Sequence, residues 1–362
     1  MSNSNASARA VDSSSIHKFP WKWYLKDLAK VPKNGLTVFS CFSCGGGSSM
    51  GYKLAGYDVI GNVEIDPRVN EVYKANHHPR YSYLMDVRKF LEIPDSELPQ
   101  ELFHLDILDG SPPCSVFSTA GQREKAWGKE KTFREGQAKQ RLDDLFIYFI
   151  QIAQKLQPRV VVAENVSGLI KGNAKGYVNE IFKAFDMAGY KPQLFILDAR
   201  YMGVPQKRQR TVFVAQRKDQ NFPKLTLSFK EPPILFSEVR SEHGKPLNPN
   251  SKIAKLIKLR KPTDDGLDKV CERVYGKRSL WNERLIHDDD VAYTLTTGGH
   301  MYRMCDGESY SKHDSMAVST FPQDYDFGSQ TPDFIMGMSV PPVMMAQIAS
   351  EIHRQWFSQE EQ

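Results

Sequence analysis

Between residues 36 and 215, short apolar runs alternate with segments of helical period, and this restricts the fold more than any other feature of the chain. Strands are expected at 36–43, 57–65, 83–87, 105–108, 160–164, 194–198 and 211–215. Helices are expected at 47–55, 67–76, 140–156 and 177–187, with Pro67 in a first turn, where its missing N–H is harmless. Apolar strands separated by helices predict an α/β fold, a doubly wound Rossmann-like sheet with its chemistry at the carboxyl ends of the strands.

The alternation stops near Gln216. Residues 217–290 are lysine-rich and carry scattered prolines, and they read as a separate small domain. Lys252, Lys255 and Lys258 recur there at helical spacing, followed by Arg260 and Lys261. The division expected is a disordered tail at 1–18, a catalytic domain at 19–216, the small domain at 217–290, and 291–362 completing it. An apolar helix after Pro342 is expected to return to the large domain. The 362 residues suffice for two domains, and a net charge of +5 permits a polyanionic partner without requiring one. Five cysteines at irregular spacing make no disulfide framework, and Cys41 and Cys44 lack the second pair of a closed zinc site, so no metal is expected. No apolar run reaches membrane-spanning length and the N-terminus lacks an apolar signal core, so a cytoplasmic protein is expected.

Five strand ends carry candidate chemistry. After the first comes Phe42-Ser43-Cys44-Gly45-Gly46-Gly47, a loop that admits a ligand close to the backbone or simply makes a tight turn. Glu64 and Ile65 close the second strand, where an acid can meet ribose hydroxyls; Asp66 before Pro67 reads better as a helix cap. Asp86 and Val87 close the third, and Asp86 is open to an adenine or a surface-turn role. After the fourth, Pro112 and Pro113 stiffen the approach to Cys114, a candidate nucleophile. Glu164 ends a run of valines, where an unpaired charge is costly, so a functional carboxyl with raised pKa is the expectation. The run Gln206-Lys207-Arg208-Gln209-Arg210 by itself reads as a solvated basic loop.

Taken in order, these pieces resemble the cytosine-5 DNA methyltransferases, which use S-adenosylmethionine. The glycine loop at 42–51, Pro113-Cys114, Glu164-Asn165-Val166, Gln206-x-Arg208-x-Arg210 and Gly337-Met338-Ser339-Val340-Pro341-Pro342 follow the family's motif order. The departures are Cys44 for the first loop glycine, Ser115 after the Pro-Cys pair, Met338 for asparagine, and a segment 313–322 that keeps only Phe321-Pro322.

The resemblance implies a class I methyltransferase fold with a target-recognition domain and a flipped cytosine in double-stranded DNA. It makes Cys114 the nucleophile and gives Glu164 the ring nitrogen, Arg208 the exocyclic oxygen and Arg210 the catalytic loop. It implies cofactor contacts from residues 42–47, Glu64, Ile65, Asp86, Val87, Pro112, Met338, Ser339 and Val340. DNA contacts are implied for Ser118, Gln206, Lys252, Lys255, Lys258, Arg260 and Lys261, and a restriction endonuclease is a possible companion. The chemistry agrees: a thiolate adding to carbon 6 makes the ring an enamine able to take a sulfonium methyl. Alternatives are a tRNA cytosine-5 methyltransferase, whose Cys-Phe-Thr signature residues 217–290 lack, and a variant using a modified S-adenosylmethionine-like cofactor. A catalytically idle DNA-binding protein is opposed by the intact Cys114, Glu164 and Arg208. A nicotinamide oxidoreductase would leave Pro112-Pro113-Cys114 unexplained.

Overall fold

A computed structural model describes residues 16–113, 144–170 and 175–358. The first half delivers the expected alternation: β1 (Thr37–Cys41), α1 (Gly47–Leu54), β2 (Asp58–Glu64), α2 (Pro67–His77), β3 (Tyr81–Leu84), α3 (Val87–Glu92), β4 (Ile107–Gly110), α4 (Leu145–Leu156), β5 (Val160–Val166), α5 (Lys175–Met187) and β6 (Tyr190–Asp198). A two-residue β7 (Gln206–Lys207) precedes β8 (Gln209–Arg217). Seven strands form one sheet in the order β3-β2-β1-β4-β5-β8-β6. The first five run parallel, and β8 runs antiparallel to both β5 and β6, so the sheet is mixed.

Side chains alternate across each strand, and the two faces collect separate cores. Val160 and Val162 of β5 join α1, α2 and the C-terminal helix, whereas Val161 and Ala163 join α3, α4 and α5. That division explains why β5 is apolar throughout: both of its faces are covered. Local caps fix the helix starts. Asp66 accepts from the Arg68 N–H with Pro67 behind it, as expected. β3 ends two residues earlier than Asp86, which instead caps α3 by accepting from the Arg88 N–H. The earlier strand end follows from Asp86, whose side chain competes for backbone donors and starts a helix.

The second half contains α6 (Phe236–Val239), α7 (Lys252–Ile257), α8 (Leu267–Tyr275), β9 (Arg284–Ile286), β10 (Ala292–Tyr293), β11 (Met301–Arg303), α9 (Lys312–Val318), α10 (Pro332–Met338) and α11 (Pro342–Ile352). A small core of Leu256, Ile257, Leu267, Val270, Cys271, Leu285 and Tyr302 holds α7, α8, β9 and β11 together. β9 pairs with β11, so a division at residue 290 passes between paired strands. Leu225 and Phe236 belong to the main core instead, and β10 pairs with β7. The helix expected after Pro342 returns to the sheet as α11 and packs on α1 so closely that a Cβ on Gly51 would collide with its backbone. Among the described residues, no helix is long and apolar enough to cross a membrane.

Candidate active site

The carboxyl ends of β1, β2, β4 and β5 converge on one edge of the sheet, joined there by the start of the antiparallel β8. Register explains the central pair of this edge. Val166 of β5 faces Arg210 of β8, and Glu164 faces Val212. Glu164 and Arg210 are therefore diagonal neighbours on one face, within reach of a long side chain. The Arg210 Nε lies 2.7 Å from Glu164 Oε1, and both side chains are nearly buried. The charge expected to be isolated at the end of β5 is thus paired. Burial pulls the Arg210 guanidinium below its ordinary value while Glu164 pulls it back up.

Arg208 is placed differently. It is 2% exposed, and its guanidinium donates to Ser339 O at 2.8 Å, Gly337 O at 3.3 Å and Leu295 O at 3.4 Å. It ties the strand entry to the closing motif. Gln206 is 1% exposed, donates to Val318 O and accepts from Arg208. The five-residue run is therefore no solvated loop, because its alternate members are buried under the C-terminal segment. Removing the Arg208 head would strand several buried carbonyls at about 1–3 kcal/mol each. Arg208→Ala is accordingly expected to lower the denaturation midpoint steeply. Arg208→Lys recovers little of it, since one ammonium cannot span three acceptors. Urea melts of the two variants measure this.

Asn165, which sequence reading left without a role, links two strand ends. Its Nδ2 donates to Pro112 O at 3.1 Å, and Thr211 Oγ1 donates to its carbonyl. Pro112 is buried, and the chain beyond Pro113 leads to Cys114. Cys114 and Ser118 lie outside the described residues.

The glycine loop is shaped by packing as much as by any ligand. Phe42 and Cys44 both have positive φ, and Gly46 at φ 83 caps α1. A Cβ on Gly46 would strike the His77 ring, and one on Gly45 would strike Ile335. His77 stacks on Tyr73 with ring centroids 4.3 Å apart, and its Nε2 lies 3.0 Å from the Tyr325 hydroxyl, which donates to Gly45 O. Burial pushes His77 well below its usual value, so the ring is neutral. This bracket comes from α2 and the segment after α9, and no local pattern signals it. Ser43 is buried and accepts from Asn62. Burial pushes the Cys44 thiol up to about 12, and Ser339 Oγ sits 3.9 Å from its sulfur.

Glu64 accepts from the amides of Cys44, Ile65 and Asp66, and burial pushes its carboxyl up against those three bonds. Its Oε2 takes one of the three amides and retains capacity for a hydroxyl donor. Beside it, the first turn of α1 leaves N–H groups without intrahelical acceptors. A carboxylate for a sugar diol and amides for a carboxylate fit a nucleoside with an amino-acid end, as S-adenosylmethionine is. Asp86 is engaged with Arg88, and the Val87 side chain lies in the core under α3. Ser339 and Val340 are buried next to Gly47, while Met338 is 38% exposed. Lys252, Lys255, Lys258 and Lys261 are exposed, whereas Arg260 is half-buried and donates to Met304 O and Ile257 O. Among the described residues no group of acidic, histidine or cysteine side chains could hold a metal ion.

Comparison with known proteins decides the family. A family model described as C-5 cytosine-specific DNA methylase matches residues 36–305. The chain belongs to that family. It is 32% identical over 199 residues to the type II methyltransferase M.NgoPII of Neisseria gonorrhoeae, covering 53% of this chain and 52% of the relative. With M.Sau96I of Staphylococcus aureus it shares 28% identity over 324 residues, 83% of this chain and 71% of that one. The chain spans about half the length of the Neisseria relative. The crystal structure of a Spodoptera frugiperda DNMT2 variant superposes with a TM-score of 0.61 at 15% identity, covering 88% of this chain and 99% of the other. That likeness shows the methylase family's α/β fold again in this chain.

Proposed function

We propose that the chain transfers a methyl group from S-adenosylmethionine to carbon 5 of a flipped cytosine in double-stranded DNA. The observation that carries this reading is the Glu164–Arg210 pair at the carboxyl edge, tied through Asn165 to the Pro112-Pro113 approach of Cys114. The cofactor supplies an electrophilic methyl. Cys114 adds as thiolate to carbon 6, which places electron density on carbon 5. Glu164 holds the proton or hydrogen bond at ring nitrogen 3. Arg210, not Arg208, is the guanidinium beside it and takes the exocyclic oxygen. This assignment reverses the expected roles, because Arg208 is occupied by three carbonyls. After transfer, loss of the proton from carbon 5 drives elimination of the thiolate.

Residues 42–47, Glu64, Ile65, Asp86, Pro112, Ser339 and Val340 hold the cofactor in this reading, with Val87 contributing backbone only. The small unit around α7 and α8 sets the target sequence, with exposed Lys252, Lys255, Lys258 and Lys261 at phosphates and Ser118 on the strand. The type II names of the relatives support a restriction endonuclease as companion to this monomer, acting at the nucleoid. Bisulfite sequencing of DNA methylated by the purified chain and S-adenosylmethionine tests the proposal. Protected cytosines in one sequence context are expected. Unprotected DNA together with methyl label in tRNA would replace DNA as the substrate.

A further inference from the structure

We infer that Asp109 is a positioning residue for methyl transfer, its buried carboxylate joining the first turns of the glycine-loop helix to the strand that leads into Pro112-Pro113-Cys114. The inference rests on the reading above. Asp109 is 1% exposed, on β4 opposite Ser40 of β1. Its Oδ2 accepts from Ser40 Oγ at 3.0 Å and Ser48 Oγ at 2.8 Å, and its Oδ1 from Tyr52 Oη at 3.3 Å. Ser48 and Tyr52 are one turn apart on the same face of α1. The carboxylate therefore fixes that helix both along its axis and about it. Three residues on, Pro112 O is held by Asn165. The start of the Cys114 loop is thus anchored from both sides, once to the cofactor helix and once to the strand of Glu164.

The charged and titratable groups facing Asp109 are Tyr52 of α1, Tyr73 of α2, Cys41 of β1 and Glu164 of β5. No cation stands among these described groups. Burial pushes the Asp109 carboxyl up to about 7, opposed by the three hydroxyls. Its folded value exceeds its ordinary one, so it lowers stability progressively as pH rises from about 4 to about 7, with a constant cost above. An apolar residue in this strand would cost less. Ionised, the group accepts all three hydroxyls; protonated, it must donate one bond and the clamp loosens.

Asp109→Asn keeps the volume and can still bond to hydroxyls, which accept as well as donate. At pH 8 its kcat is expected to fall about tenfold or more, with KM for DNA within about twofold, as for a displaced catalytic group. The thermal midpoint should be retained. Calorimetry gives the second readout: S-adenosylmethionine affinity of the unaltered chain strengthens between pH 6 and 8, and that of the variant stays flat. Methylation by the unaltered chain is measured first and tests the parent reading separately. Equal kcat, or a reduced kcat with the pH dependence of affinity unchanged, overturns the role. Should Asp109→Asn fail to fold, Ser48→Ala combined with Tyr52→Phe decides, since both keep the carboxylate. A folded double variant with wild-type turnover overturns the role equally.

Discussion

Cys114→Ala is expected to abolish methyl transfer, by at least about ten-thousandfold, as when a covalent nucleophile is removed. The argument is chemical. Carbon 5 of cytosine does not attack a methyl group until carbon 6 carries an electron-donating substituent, and only a nucleophile from the protein supplies one. Of the five cysteines, Cys41 is buried in a sheet core and Cys271 in the small core around α7 and α8, and burial pushes both the Cys41 and Cys44 thiols upward, away from the reactive thiolate. Cys305 is exposed beyond β11, outside the sheet edge. Cys44 follows β1 at this edge too, but burial keeps its thiol protonated, which leaves Cys114, after β4, as the nucleophile. DNA containing 5-fluorocytosine makes the step visible. The thiolate bonds to carbon 6 and the methyl arrives at carbon 5, but fluorine cannot leave as a proton, so elimination stops. A denaturation-resistant protein–DNA band dependent on S-adenosylmethionine is expected from the unaltered chain and none from Cys114→Ala. DNA binding measured by gel shift should persist in that variant, because it rests on phosphate contacts elsewhere. Methylation surviving the substitution would refute the covalent route.

Glu164 and Arg210 give the second large effect, and two readouts should part company. Truncating either member leaves the other charge buried and unpaired, which costs about 3–5 kcal/mol. Arg210→Met and Glu164→Gln should each lower the urea midpoint, and combining them should restore much of the loss, since the pair is then replaced by neutral groups. Activity should not follow. Each single variant is expected to lose about a hundred- to a thousandfold in kcat, as when a donor aimed at developing charge is removed. The double variant should remain as inactive as either single one. Recovery of kcat alongside stability would make the pair structural only. Arg210→Lys is expected to recover little activity, because the contact to Glu164 comes through Nε at 2.7 Å, in a planar group that lysine lacks.

The contrast with Arg208 shows where sequence reasoning stopped. Two arginines at 208 and 210 are equivalent in a motif, and nothing local says which one faces the base. Their fates differ because β8 runs antiparallel, starts at the carboxyl edge and pairs in a register that sets Arg210 diagonal to Glu164. Arg208 lies just before that strand and turns into carbonyls contributed by residues 295, 337 and 339, far along the chain. Likewise Gln206 and Arg260 look like surface polar residues in a basic stretch. Gln206 donates to Val318 O and Arg260 to Met304 O through contacts that only the packed chain provides.

Local patterns in the sequence were enough for the alternation of strands and helices, the cap at Asp66 and the proline-stiffened entry to Cys114. Each of these is local: periodicity assigns faces, a side chain caps the next turn, and proline fixes its own φ. The motif order also pointed to the methylase family. Tertiary structure alone decided the strand order, the reversal of β8, the pairing of β9 with β11 across residue 290, the His77–Tyr325 bracket behind the glycines, and the three hydroxyls around Asp109. These join residues tens to hundreds of positions apart. A periodic pattern states which face of an element is buried; which partner buries it is settled only when the sheet and its covering helices assemble.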